Sequence, residues 1–269
     1  MPIHDAVSVP LVRPEQIWAA IADVIDPELD TPLVRLGFVD RIETSGAEVR
    51  IFLKLPTFWC APNFAYLMAS DLAERARAVP GVASVQVQLL DHCAGEAISA
   101  AVNQGLSFAA AFPEEVTTDS DLQELRRTFL RKGFLRRQDL LLRRLLQTGL
   151  SEEVLRSRRL EDLSWDEEGD VARLCLPGAT LELPALGKAA RAYVERGQAL
   201  GLLRAGSSLF VDEQGEPIPA GELQRFLRRL RSVRLSLLFN TAMCSALFRT
   251  RYQHASAETA HNEEGEDSL

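Results

Sequence analysis

Residues 48–78 constrain the fold most, because their apolar periodicity changes part-way along. In residues 48–55 apolar side chains alternate with polar ones, which is the period-two pattern of a half-buried strand. Pro56 ends this strand because a proline cannot donate a ladder hydrogen bond, and Pro62 has the backbone angle suited to the first turn of a helix. The pattern therefore predicts a strand, a short loop and a helix over 63–78.

Cys60 lies in the predicted loop, just before the helix. The dipole and the free N–H groups at a helix N-terminus favour the thiolate form of a nearby cysteine. Free cysteines are also common as small apolar side chains in protein cores. The loop alone therefore leaves two interpretations open, a reactive thiol and a packing residue.

The flanking sequence completes a small domain. Apolar spacing predicts a helix over 14–25, and strand patterns follow over 34–43 and 82–90. A polar turn with a glycine at 44–46 predicts that the first two strands form a hairpin. The resulting order is α-β-β-α-β, so we expect a two-layer α+β domain over residues 1–112.

This topology predicts where the polar loops meet. A helix between the second and third strands favours a parallel crossover, so the C-terminal ends of both strands share one sheet edge. The first strand runs antiparallel to the second, which brings the loop before it to the same edge. Each polar residue alone also fits a structural role, such as a turn acid or a strand-end surface side chain. The candidate metal ligands or proton-transfer groups that would converge from these loops are Asp26, Glu28, Cys60, His92 and Cys93.

The remainder of the chain predicts a second domain. A polar segment over 113–120 is interpreted as a linker. Leucine- and arginine-rich patterns then predict a mostly helical domain over 121–252, which includes a strand-turn-strand at 209–218. The acidic tail over 253–269 is expected to be disordered.

Charge and composition limit the classes of partner. The net charge of −8 argues against general nucleic-acid binding, although residues 121–160 carry eleven basic and five acidic side chains. Because the acids are interleaved and aromatic residues are scarce there, a solvated face or a protein-docking face is favoured, with Arg136 and Arg137 as the docking candidates. No apolar run reaches the ~18 residues of a membrane span. Four cysteines do not suggest a disulfide scaffold, and the first residues lack a signal-peptide pattern, so we expect no membrane partner and a cytoplasmic location.

Four segments occur in order over about residues 14–92. They are Asp26-Pro27-Glu28, Leu36-Gly37-Phe38-Val39, a strand end followed by Cys60 and Pro62, and Val79-Pro80-Gly81-Val82 with Val85 and Val87. Together they resemble the SufT/PaaD-type iron–sulfur assembly domain. Two departures from the family pattern are visible. Ala61 separates Cys60 from Pro62, whereas the cysteine directly precedes the proline in the family, and the usual aromatic-proline motif is replaced at 92–95.

The resemblance implies a maturation factor and not an enzyme. Iron or an iron–sulfur cluster would be held transiently for a client metalloprotein, with Cys60 as thiolate ligand or persulfide carrier and with Asp26 and Glu28 as secondary ligands. Thiolate is the ligand that suits this chemistry. The alternative is a non-catalytic adaptor in which Cys60 is structural. His92 and Cys93 distinguish the two functions, because a ligand role requires their side chains to face the Cys60 loop and an adaptor role does not.

Two expectations about the cysteines and the assembly follow. We expect Cys60 and Cys93 to lie close enough to share a ligand, and Cys175 and Cys244 to be remote and buried. The oligomeric state is left open, with a dimer as one option.

Overall fold

The computed structural model describes residues 11–114 and 119–263 and divides the chain into two compact units. The first unit contains the described residues up to Glu124 together with those from Phe239 onward. The second unit covers Leu125–Leu238. The α+β class is confirmed. The predicted boundaries at 112 and 252 stay a prediction, and the end of the last helix belongs to the first unit.

The first unit contains the predicted three-stranded sheet. Strand β3 pairs antiparallel with β4, and β4 pairs parallel with β5, so the predicted hairpin and crossover are both present. The elements of this unit are α1 (Pro14–Ala20), β1 (Ile25–Asp26), β2 (Thr31–Pro32), α2 (Leu33–Leu36), β3 (Val39–Ser45), β4 (Glu48–Lys54), α3 (Pro62–Arg77), β5 (Ser84–Leu90), α4 (Gly95–Gln104) and α5 (Phe108–Ala111).

The start of the first long strand differs from the prediction. Residues 33–36 form the short helix α2, so the strand begins at Val39 and not at residue 34. Gly37 closes this helix in the left-handed conformation, with φ at 74°, which is the usual role of glycine after a helix end. The glycine inside the apolar run therefore marks a helix stop.

The core of the first unit lies between the sheet and helices α3 and α4. The inward faces of β4 and β5 are fully buried at Ile51, Leu53 and Val87. Helix α3 buries a stripe of small residues, which lets its backbone approach the sheet closely. Those residues are Ala65, Ala69, Ala73 and Ala76.

The second unit contains a sheet that the sequence analysis did not predict. Strands β6, β7 and β8 pair antiparallel in that order. At 209–218 the predicted strand-turn-strand is reduced to a single bridge between Val211 and Pro217. The remaining elements are α6 (Asp119–Gln147), α7 (Glu152–Ser157), a 3-10 turn (Leu160–Asp162), β6 (Leu163–Trp165), β7 (Val171–Leu176), β8 (Ala179–Pro184), α8 (Gly187–Ala199) and α9 (Leu223–Glu263).

Helix α9 runs through Glu263, and 264–269 lie outside the described residues, so the predicted disorder of the acidic tail stays a prediction. Part of the predicted linker, residues 115–118, also lies outside them, and Asp119 already belongs to α6. Among the residues that were described, no helix combines the length and the apolar character needed to cross a membrane.

Candidate functional site

The loop that carries Cys60 connects β4 to α3. Pro62 is the first residue of α3, as predicted, and the N–H groups of Phe64 and Ala65 donate to the carbonyl oxygen of Ala61. Cys60 is half-buried against the core, with its Sγ 3.4 Å from Thr57 Oγ1. The sulfur is therefore held next to a helix N-terminus without being sealed in the core.

His92, which follows the end of β5, forms a hydrogen bond with this loop. Its Nε2 lies 2.7 Å from the carbonyl oxygen of Cys60, and its Nδ1 lies 3.1 Å from the N–H of Ala94. A carbonyl can only accept, so Nε2 carries the proton and Nδ1 accepts. Burial lowers the pKa of His92, the Cys60 hydrogen bond opposes this shift, and the charge of Arg251 adds to it. With both ring nitrogens engaged in hydrogen bonds, His92 holds the loop in place, and the ligand role predicted for it stays a prediction.

The backbone of Cys93 also connects the loop after β5 to the loop that carries Cys60. Its N–H donates to the carbonyl oxygen of Phe58 at 2.9 Å, while its side chain is exposed and its Sγ lies 4.0 Å from His92 Nδ1. The parallel pairing of β4 and β5 ends at Lys54 and Leu90, so both loops leave one sheet edge. The predicted shared edge is therefore confirmed, and a ligand role for Cys93 stays a prediction.

The Asp26–Asp30 loop contributes a buried carboxylate. The side chain of Asp26, at the end of β1, is 7% exposed, and its Oδ1 accepts the N–H groups of Glu28 at 2.8 Å and Leu29 at 3.0 Å. Burial raises the pKa of Asp26 to about 6, the two hydrogen bonds lower it, and the charge of Glu28 raises it further. Among the described residues, neither Asp26 nor Glu28 forms an ion pair with a cationic side chain.

The C-terminal part of α9 covers this edge of the first unit. Asn240 Nδ2 lies 3.4 Å from Glu28 Oε1, and the ring of Phe248 packs on Phe38 with centroids 5.2 Å apart. Arg251 Nη2 donates to the carbonyl oxygen of Asp91 at 2.6 Å, directly after β5. Residues four apart lie on one face of a helix, so this face of α9 is turned to the three loops.

Cys244 lies on the same face of α9, between Asn240 and Phe248. It is half-buried and packs against the same core as Cys60. Burial raises the pKa of its thiol to about 11, and the negative charges of Asp26, Glu28 and Cys60 contribute to the shift.

The expectations for Cys175 and Cys244 were therefore wrong in part. Cys244 is neither remote from the candidate site nor fully buried, and Cys175, on β7 of the second unit, is exposed. The four-residue spacing of Asn240, Cys244, Phe248 and Tyr252 was the available signal for a shared helix face.

An exposed aromatic pair stands beside Cys60. Trp59 is 76% exposed and Phe58 is 42% exposed, and their rings meet edge to face with centroids 4.9 Å apart. Large apolar side chains that remain in solvent next to a candidate site are typical of surfaces that bind a partner.

Arg136 and Arg137 lie elsewhere, on α6 in the second unit. Both side chains are half-buried, and Arg137 Nη1 donates to the carbonyl oxygen of Gly133 at 3.0 Å. Their docking role stays a prediction.

The ligand set predicted from sequence is not assembled as a closed metal site. Among the residues whose side chains the structure describes, no group of three or more histidine, cysteine or acidic side chains is arranged to hold a metal ion. The loops that carry Cys60, His92 and Cys93 meet as predicted, and α9 adds a thiol to the edge.

Comparison with protein families bears on the part of the chain that forms this edge. Residues 14–89 match the family described as iron-sulfur cluster assembly protein. This match agrees with the SufT/PaaD-type resemblance and supports a general role in iron–sulfur cluster assembly. The matched region includes the Asp26 loop and Cys60 of the assembly domain but stops before His92 and does not reach Cys244. No curated protein and no solved structure matches the chain.

Proposed function

We propose that this protein is an accessory factor that passes iron or an iron–sulfur cluster to a client metalloprotein, with Cys60 as the thiolate that holds the cargo. The observation that carries the proposal is the Cys60 loop, which His92 fixes at 2.7 Å to the sheet edge inside the assembly domain. Thiolate sulfur is the protein ligand that iron–sulfur chemistry uses most.

The surroundings of Cys60 suit a cation better than a packing role. Asp26 is almost fully buried at the same edge and has no cationic partner among the described residues. A buried carboxylate without such a partner is costly, and a positively charged cargo would offset that cost.

The open character of the site favours transient holding. Three or four protein ligands in a closed shell are typical of a resident metal. The described residues offer no such set, so a cargo at Cys60 would keep coordination positions free. A client can fill those positions with its own ligands, which is what transfer requires.

The client would dock on the exposed pair of Phe58 and Trp59. Aromatic side chains are enriched in the buried centres of protein interfaces, and this pair directly precedes Cys60 in the chain. Docking there brings the acceptor ligands of the client close to the sulfur.

Anaerobic reconstitution of the full chain with ferrous iron and sulfide tests the proposal. We expect bound iron in the wild type, loss of most of it in Cys60→Ser, and retention in Cys175→Ser, which removes an exposed thiol from the second unit as a matched control. Equal iron in wild type and Cys60→Ser would contradict the proposal.

The adaptor function is the second candidate, and the exposed aromatic pair is the observation that favours it. An apo-ferredoxin serves as a generic acceptor in a transfer assay that starts from the reconstituted chain. If no variant binds iron and no cluster reaches the acceptor, while Trp59→Ala weakens binding to the acceptor, the adaptor function is the better one.

A further inference from the structure

We propose that Cys244 supplies a second thiolate to the Cys60 site, so that α9 and the Cys60 loop together hold a thiophilic divalent cation such as ferrous iron. This inference rests on the proposed function, because it assigns a new ligand to the same site. The second donor, on α9, lies more than 150 residues beyond the end of the matched family region.

The placement of Cys244 follows from its neighbours on α9. Four residues before it, Asn240 reaches Glu28, and four residues after it, Phe248 packs on Phe38. One turn further, Arg251 donates to the carbonyl oxygens at the two strand ends, at 3.4 Å to Leu55 and 2.6 Å to Asp91. A helix fixed before and after Cys244 in this way holds the thiol at the edge that carries Cys60.

The charge distribution around Cys244 indicates the class of ligand. Asp26 and Glu28 act electrostatically on its sulfur together with Cys60, and neither carboxylate has a cationic partner among the described residues. The charges that act on this sulfur are negative, so they attract a cation and oppose a second anion, while the guanidinium of Arg251 at the same edge is bound to the carbonyl oxygens of Leu55 and Asp91. Two sulfur donors within that field select a soft or borderline divalent metal over calcium or magnesium.

Binding would exchange protons for the metal. Each thiol must lose its proton to become a ligand, so the reaction releases protons and takes up one divalent cation. Two thiolates alone do not complete a tetrahedral shell. The open positions agree with the finding that no three-ligand set is preformed in the described residues.

Cadmium titration of the full chain counts the thiolates. The ultraviolet sulfur-to-cadmium band should fall to about half in Cys60→Ser and in Cys244→Ser, because each variant keeps one of two thiolate ligands. Cys175→Ser should retain the full band. Cys244→Ala is measured beside Cys244→Ser, and circular dichroism checks that both variants keep their helix content.

A trivalent arsenical such as phenylarsine oxide tests the pairing without a metal. Arsenic exchanges its oxygen for two sulfur atoms and releases one water, so a stable adduct needs two thiols within reach of one atom. We expect the adduct in wild type, Cys93→Ser and Cys175→Ser, and its loss in Cys60→Ser and Cys244→Ser.

The outcomes separate this inference from the proposed function. If Cys60→Ser loses iron while Cys244→Ser keeps the full cadmium band and the arsenical adduct, the second thiolate is ruled out and the proposed function stands. An adduct lost in Cys93→Ser in place of Cys244→Ser would assign the pair to Cys60 and Cys93. If neither Cys60→Ser nor Cys244→Ser changes iron, cadmium or arsenic binding, both proposals fail.

Discussion

Two buried aspartates, one in each unit, are held in opposite ways. Asp139 on α6 is fully buried and lies 2.7 Å from Arg143 Nε and 2.8 Å from Arg234 Nε. Asp26 is nearly as buried, yet backbone N–H groups are its only hydrogen-bond donors among the described residues. The first carboxylate is paired with two arginines of its own unit, whereas no cationic side chain in the described part of the chain pairs with the second.

Gln138, next to Asp139 in the chain, belongs to a buried hydrogen-bond network of the second unit. Gln138 donates to the carbonyl oxygen of Val211 at 2.8 Å and accepts the N–H of that residue at 3.1 Å. The hydroxyl of Tyr193 lies 2.7 Å from Gln138 Oε1 and 2.6 Å from the carbonyl oxygen of Leu209. A buried network of this kind serves folding, while a buried carboxylate without a counter-charge is a candidate place for a ligand.

The largest effect on stability should come from Asp139→Ala. Removal of this carboxylate leaves two arginines without their buried partner, and breaking a buried ion pair costs about 3 kcal/mol or more. Amide hydrogen exchange in β7 should report a loss of that size in the free energy of unfolding of the second unit. A loss below about 1 kcal/mol would show that the paired aspartate contributes little to stability. Asp139 would then not be an example of a buried charge that stabilises its unit.

Asp26→Asn should raise the free energy of unfolding, whereas Asp139→Ala should lower it. The asparagine oxygen still accepts the N–H groups of Glu28 and Leu29, but the buried charge is gone. The folded pKa of about 6 lies above the ordinary value of 3.8, so the charged form is penalised in the folded state. The penalty is fully present above pH 6 and disappears below about pH 4. We expect a gain of up to about 3 kcal/mol at pH 7.5 and little gain at pH 4 in metal-free urea unfolding.

Asp139→Asn is the matched control for this prediction, because it removes the charge of the paired aspartate by the same chemical change. It should lower stability at pH 7.5, where Asp26→Asn raises it. If both substitutions shift the free energy of unfolding in the same direction, the difference in pairing does not explain the two sites.

The features that the sequence could predict are those specified by local patterns. The change of period around Pro56 and Pro62 is local, so the strand, the Cys60 loop and α3 were all predicted. The parallel crossover followed from the connection between β4 and β5. These signals need no knowledge of distant parts of the chain.

The parts that were missed depend on long-range packing or on weak local patterns. Cys244 lies in the first unit because the end of α9 belongs to that unit, and no pattern within α9 specifies its packing partners. Strands β7 and β8 carry charged pairs such as Arg173 and Glu182 on their exposed face, 3.0 Å apart, which weakened their apolar alternation. The two hydrogen bonds of His92 to the Cys60 loop and to Ala94 join residues from separate loops or depend on local turn geometry, and the sequence pattern did not predict them.

Tyr193→Phe should lower the free energy of unfolding of the second unit by a smaller amount. The ring is retained, but the carbonyl oxygen of Leu209 loses its buried donor, while Gln138 still accepts the N–H of Val211. Leaving one buried acceptor unpaired costs about 1–2 kcal/mol. Hydrogen exchange in α8 measures this loss, and unchanged protection there would mean that the hydroxyl is not part of the structural network.

The smallest effect on stability is expected for Trp59→Ala. This substitution distinguishes docking of the acceptor protein from binding of iron. The side chain is 76% exposed and contacts mainly Phe58, so the free energy of unfolding should change by less than about 0.5 kcal/mol. Bound iron after reconstitution should be unchanged, because no ligand atom is lost. Cluster transfer to an apo-ferredoxin should slow by about tenfold, since exposed aromatic anchors contribute most to interfaces. Trp165→Ala, on β6 of the second unit, is the control that should leave transfer intact. Normal transfer by Trp59→Ala would show that the acceptor reaches Cys60 from another side.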